Sequence, residues 1–114
     1  MKKVVKKPWG NEEEFALNSK CTVKILTVKP LSKTSLQYHY HRDEFWKVID
    51  GKVRIWIGNR KILAKVGDEF FIKRKVKHRL EGLSVEGKVL EISFGKFDEK
   101  DIVRVEDDYG RTES

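Results

Sequence analysis

The chain is poor in the residues that staple or anchor a protein. Its 114 residues contain one cysteine, Cys21, and one methionine. No disulfide can form within the chain, which fits a reducing compartment. No apolar stretch approaches the ~20 residues that a membrane helix needs. The start, Met1-Lys2-Lys3-Val4-Val5-Lys6-Lys7-Pro8, is charged but has no apolar run behind it, so a secretory leader is not expected. Repeats, low-complexity segments and linkers are missing too. These absences predict one soluble, cytoplasmic domain over 1–114, with its core between about 8 and 111 and no membrane partner. A domain this long buries roughly two-thirds of its unfolded surface and needs no covalent staple.

Charge is plentiful: the net charge is +7, and 38% of residues are Asp, Glu, Lys or Arg. The lysines are interspersed with acidic residues, so a nucleic-acid partner is not expected. Abundant Lys and Glu with scarce Met and Cys resembles a hyperthermophile composition. A local positive field around a phosphorylated ligand is a further reading.

The hydropathy pattern is β throughout. Short runs rich in β-branched and aromatic residues alternate with period 2. They cover Cys21–Lys29, Thr34–His41, Glu44–Ile49, Val53–Ile57, Lys61–Val66, Glu69–Ile72, Lys77–Glu81 and Val89–Phe94. Asp50-Gly51 reads as a hairpin turn needing positive φ. Turn signals recur every 8 to 12 residues, the spacing of an antiparallel sandwich or barrel. Asp98 to Val105 is the one stretch with helical character, a single turn with Asp98 as N-cap and Asp101 as its capping-box partner. Tyr38, Tyr40, Phe45 and Trp56 fall on the outward phase of their strands. Left open to water they would form a large apolar patch, which predicts a second copy covering it in a homodimer.

The chemistry concentrates on three histidines, His39, His41 and His78. In an extended strand, Gln37, His39 and His41 project from one face. Glu44 follows after the Arg42-Asp43 step. Burying so many unsatisfied polar groups would cost several kcal/mol. A metal resolves that cost, and imidazoles with a carboxylate and an amide oxygen suit a divalent transition ion with open positions. Either Gln37 or His41 completes the set with His39, Glu44 and His78.

The segment Gln37 to Gly51, QYHYHRDEFWKVIDG, resembles the first cupin motif. Counting back from Glu44 in that motif puts the ligand pair at Gln37 and His39. Gly67 to His78, GDEFFIKRKVKH, is similar to the second motif, with Lys73 and Lys75 standing where Pro and Gly are usual. KPWGNEE, LQYHYHRDEFW, HRLEG, VLEISFG and EDDYGR together resemble the type II mannose-6-phosphate isomerases, from about Pro8 to Arg111. In that family the cupin is usually the C-terminal domain of a bifunctional mannose-1-phosphate guanylyltransferase. No Gly-rich nucleotide loop occurs here, so guanylyl transfer is not expected. The Gln, His, Glu and His zinc site of the type I isomerases also favours Gln37.

The resemblance implies an all-β, double-stranded β-helix (a jelly-roll barrel). It implies one divalent metal on Gln37, His39, Glu44 and His78, zinc favoured and manganese, cobalt or iron acceptable. It implies interconversion of mannose 6-phosphate and fructose 6-phosphate. That reaction needs a Lewis acid, a base near the C2 proton and a cationic phosphate pocket. His41, if not a ligand, is the leading base because its ordinary pKa lies near neutrality. Glu91, which interrupts the apolar run VLEISF, is the second candidate. Arg42 and Arg79, each beside a proposed ligand, are the expected phosphate partners, with Lys73 and Lys75 adding to the field. A non-catalytic cupin that binds a sugar or sugar phosphate is the alternative, and a cupin dioxygenase a third.

Overall fold

The computed structural model describes residues 2–112, and every regular element among them is a β-strand. The strands are β1 (Lys3–Lys7), β2 (Gly10–Glu14), β3 (Cys21–Val28), β4 (Leu36–Tyr38), β5 (Arg42–Asp50) and β6 (Lys52–Ile57). They continue as β7 (Arg60–Lys65), β8 (Glu69–Ile72), β9 (His78–Gly82), β10 (Gly87–Gly95) and β11 (Val103–Glu106). No helix of the described residues is long and apolar enough to cross a membrane.

Two antiparallel sheets face each other. One has the order β3-β10-β5-β8, the other β11-β4-β9-β6-β7, and β1-β2 forms a separate hairpin. Alternation decides which side chains fill the space between them. Val48, Val53, Ile55, Leu80 and Val89 point inward and are fully buried. Ile55 and Leu80 sit opposite each other in the β6–β9 register. Burying each such side chain is worth ~1.5–3 kcal/mol. These residues form the apolar end of the barrel. The other end of the same interior is polar: Glu44, Ser93 and Glu91 come from the facing registers of β5 and β10.

The Asp50-Gly51 turn forms as the sequence predicts, with Gly51 at φ 71°. A Cβ there would also collide with the Glu86 carbonyl, so no other residue fits. Two expectations are corrected. First, Asp98 does cap a turn, its carboxylate accepting the Lys100 N–H at 2.9 Å. The chain then leaves that turn and runs as β11, because Val103 and Arg104 pair with Tyr38 and Gln37 of β4. Second, the outward aromatic residues do not form one open apolar patch. Phe45 is only 5% exposed because Phe15, just after the β1-β2 hairpin, covers it at 5.3 Å between ring centroids. Trp56 lies between Lys61 and Arg79, with its indole N–H on Glu81. Tyr38 and Tyr40 pack edge to face on each other, and Tyr40 stays exposed.

Candidate active site

Three buried side chains converge at the polar end of the barrel. Glu44 comes from β5, His78 from the first position of β9, and His39 from the short link between β4 and β5. Their ligand-capable atoms lie within 4.8 Å of one another. Glu44 Oε2 is 3.1 Å from His39 Nε2, and Glu44 Oε1 is 3.6 Å from His78 Nε2.

Backbone carbonyls set both imidazole tautomers. His39 Nδ1–H donates to the Asp101 carbonyl at 2.7 Å, and His78 Nδ1–H donates to the Val76 carbonyl at 3.0 Å. Each ring therefore turns an Nε2 lone pair toward Glu44. A second hydrogen bond of this kind is how proteins orient metal-binding histidines. His78 Nε2 is buried with no hydrogen-bond partner. An orphaned buried acceptor beside a carboxylate is a costly arrangement, and a divalent cation satisfies it. The donor set thus fits a metal, with His39, Glu44 and His78 as its holders.

Electrostatics agree. Burial pushes the Glu44 carboxyl up, but its contacts with His39 and His78 and the Trp46 N–H outweigh that and hold the pKa at about 2. Burial pushes His78 down, and the Glu44 charge offsets only part of that, so its neutral, ligating form is favoured. Trp46 Nε1 donates to Glu44 Oε1 at 2.9 Å. Arg42 donates to Glu44 Oε2 through Nε and to His39 Nε2 through a terminal nitrogen, both at 3.2 Å.

The structure places the remaining sequence candidates unevenly. Gln37 lies opposite His78 in the β4–β9 register, and its Oε1 accepts from the buried Ser35 hydroxyl at 2.5 Å. His41 is not brought to the cluster. The strand expected over Thr34–His41 ends at Tyr38, so the alternation that put His41 in phase with His39 is broken. His41 is exposed, and its backbone N–H is tied to Asp101 Oδ2. Glu91 is buried on the interior face of β10. Burial and the nearby charge of Glu44 push its pKa up to about 7. Arg79 is not brought to the cluster either, because it neighbours His78 in a strand and so faces the other way. It is buried over Trp56 with its Nε on the Thr34 carbonyl at 2.8 Å. Lys73 and Lys75 are exposed on the β8–β9 loop. Lys75 has φ 70°, where a glycine would be unstrained, and donates its N–H to the His39 carbonyl at 2.6 Å.

Sequence reasoning gave Asp101 only a capping-box role, whereas its groups bond His39, Tyr40 and His41. Besides orienting His39, it accepts the N–H groups of Tyr40 and His41 on its two carboxylate oxygens, each at 2.9 Å. A residue acting through its carbonyl leaves no compositional signal. Beside the cluster a cavity of about 570 Å³ opens at the seam between β3 and the β4 side of the barrel, lined among others by Lys24, Lys33, Gln37, Arg42, Glu91 and Arg111.

Residues 1–107 match the family described as mannose-6-phosphate isomerase C-terminal. The chain belongs to this family. Among curated relatives, the xanthan biosynthesis protein XanB of Xanthomonas campestris is 38% identical over 95% of this chain and 24% of its own length. The mannose-1-phosphate guanylyltransferase ManC of Salmonella typhimurium is 34% identical over 97% of this chain and 24% of its own length. The chain thus spans about a quarter of the curated relatives it matches. A cupin protein from Bacteroides fragilis superposes with a TM-score of 0.62 at 20% identity, over 75% of this chain and 76% of that one. Fold and family therefore agree: a mannose-6-phosphate isomerase C-terminal domain with a cupin barrel and a buried cluster able to hold a metal.

Proposed function

We propose that this domain is a metal-dependent aldose–ketose isomerase that interconverts mannose 6-phosphate and fructose 6-phosphate. The observation that carries the reading is a single interior surface holding two kinds of group. One is a pair of Nε2 lone pairs aimed at Glu44. The other is Glu91, a buried carboxyl with a pKa of about 7.

His39, Glu44 and His78, with the Gln37 amide oxygen as fourth donor, would hold a divalent ion, which would supply a Lewis acid for the sugar carbonyl. Zinc suits this donor set best. Glu91 is the proton carrier. Its carboxylate, buried on the interior face of β10, is placed to take the C2 proton of the open-chain aldose and return it to C1. Arg42 lines the cavity and holds Glu44 and His39 in place beside it. The cavity volume lies within the ~300–1,000 Å³ of small-molecule sites. Family membership supports the same substrate class.

The test is conversion of mannose 6-phosphate by the zinc-loaded protein, followed by coupled detection of fructose 6-phosphate. Turnover that Glu91→Gln lowers by about 100-fold or more supports the reading, given the usual worth of a general base. Binding of sugar phosphate without turnover would overturn it in favour of a non-catalytic binding cupin.

A further inference from the structure

We infer that the phosphate of the substrate is held in this cavity by Lys24 and Lys33, with Arg111 beside them in its lining, and not by residues flanking the metal ligands. The inference rests on the sugar-phosphate reading above and assigns its anion site.

The cavity lining is strongly cationic. Lys24, Lys29, Lys33, Arg42 and Arg111 line it, and Glu91 is the one acidic side chain among the lining residues. A cleft of one sign with apolar walls focuses the field on an anion. The cations differ in how far they are already engaged. Arg42 is committed to Glu44 and His39. Lys24 lies over the Phe97 ring at 4.0 Å, a contact that leaves its ammonium protons available. It sits opposite Glu91 in the β3–β10 register, so the two side chains share the interior face. Lys33 reaches Asp108 only at a long 3.9 Å. Arg111 engages Asp107 through Nε and one terminal nitrogen, leaving its other terminal nitrogen for a ligand.

Position separates these residues from the alternatives. Arg79 faces away from the interior, and neither it nor Lys73 or Lys75 lines the cavity. Arg42 lines it and also touches Glu44 and His39, so a ligand there is one side chain away from the cluster. A phosphorylated hexose can therefore engage the cavity lysines with its phosphate while its carbonyl end approaches the cluster past Arg42.

The test is equilibrium binding by isothermal titration calorimetry on the full zinc-loaded chain. The probes are mannose 6-phosphate, mannose and inorganic phosphate. Wild-type protein is expected to bind mannose 6-phosphate more tightly than mannose, with inorganic phosphate competing. Lys24→Gln/Lys33→Gln should weaken mannose 6-phosphate by about tenfold or more, the usual worth of a charge-assisted contact, and leave mannose binding unchanged. Lys6→Gln/Lys52→Gln, which removes the same charge outside the cavity, should change neither. Equal affinity of wild type for the two sugars, or full affinity in the Lys24/Lys33 variant, overturns the inference. Amide shifts on adding inorganic phosphate to wild-type protein give a readout without mutation. Shifts at Lys24, Lys33 and Arg111 support the inference, and shifts confined to other residues overturn it. Binding as described without turnover would sink the isomerase reading alone. Turnover with unaltered binding in the Lys24/Lys33 variant would sink the anion site alone.

Discussion

Glu44 and Glu91 are diagonal neighbours on adjacent strands, yet their environments drive them apart. Glu91 faces Trp46 across the β5–β10 ladder, and Glu44 faces Ser93. Glu44 is surrounded by donors and cations and sits at about 2, while Glu91 is buried beside the Glu44 charge and rises to about 7. The linkage signs are opposite. Glu44, depressed on folding, contributes stability that is present above its ordinary 4.5 and lost as pH falls toward 2. Glu91, raised on folding, contributes stability that is present below 4.5 and lost as pH rises through about 7. In urea titrations of the metal-free protein, Glu91→Gln should match wild type near pH 4 and exceed it at pH 8. The gap is on the order of 3 kcal/mol, from the size of the shift. A constant gap across that range would contradict the assignment. His78→Ala removes one of the two Nε2 lone pairs. After dialysis against zinc, elemental analysis should find well under one ion per variant chain, against about one for wild type.

At the scale of elements, the β8–β9 loop carries strain that one substitution should relieve. Lys75 holds a left-handed conformation while its N–H grips the His39 carbonyl. That conformation costs a side-chain-bearing residue ~1–2 kcal/mol, and glycine gives back ~0.5–1 kcal/mol of it in chain entropy. Lys75→Gly should stabilise the fold by about 0.5 kcal/mol, visible as a higher urea midpoint. Phe15→Ala uncovers Phe45 and should cost about 1–2 kcal/mol, less than a fully buried Phe→Ala change because Phe15 itself is only half-buried. The strands that bury one face were legible because their alternation is regular, as in Val53–Ile57. The β1-β2 hairpin was not, since KVVKK and GNEEE carry almost no apolar period. His39, Glu44, His78 and Glu91 could be read from motif spacing and from a charge breaking an apolar run. Arg79 was misplaced because adjacency in a strand means opposite faces. Lys24 was hidden because the apolar phase of β3, Val23 and Ile25, faces outward.

The whole molecule divides its interior lengthwise. Packed aliphatic residues fill one end, and the other end is polar and able to hold a metal. The first end stabilises the barrel without help, so the second can remain costly in the metal-free state. Zinc should therefore raise the unfolding temperature. At a free concentration 100 times its dissociation constant, the linkage is worth about 2.7 kcal/mol. Chelator should reverse the shift without dissolving the fold, as monitored by circular dichroism. Trp46, hydrogen-bonded to Glu44 and edge-on to His78 at 5.6 Å, reports the same event by its fluorescence.

The bond from His39 to the Asp101 carbonyl spans 62 positions of sequence. During synthesis on the ribosome, His39 emerges long before the peptide that aims it. Until that later segment has folded back, the imidazole has no fixed direction. The metal-binding geometry is therefore complete only once the segment carrying Asp101 has docked on the link between β4 and β5.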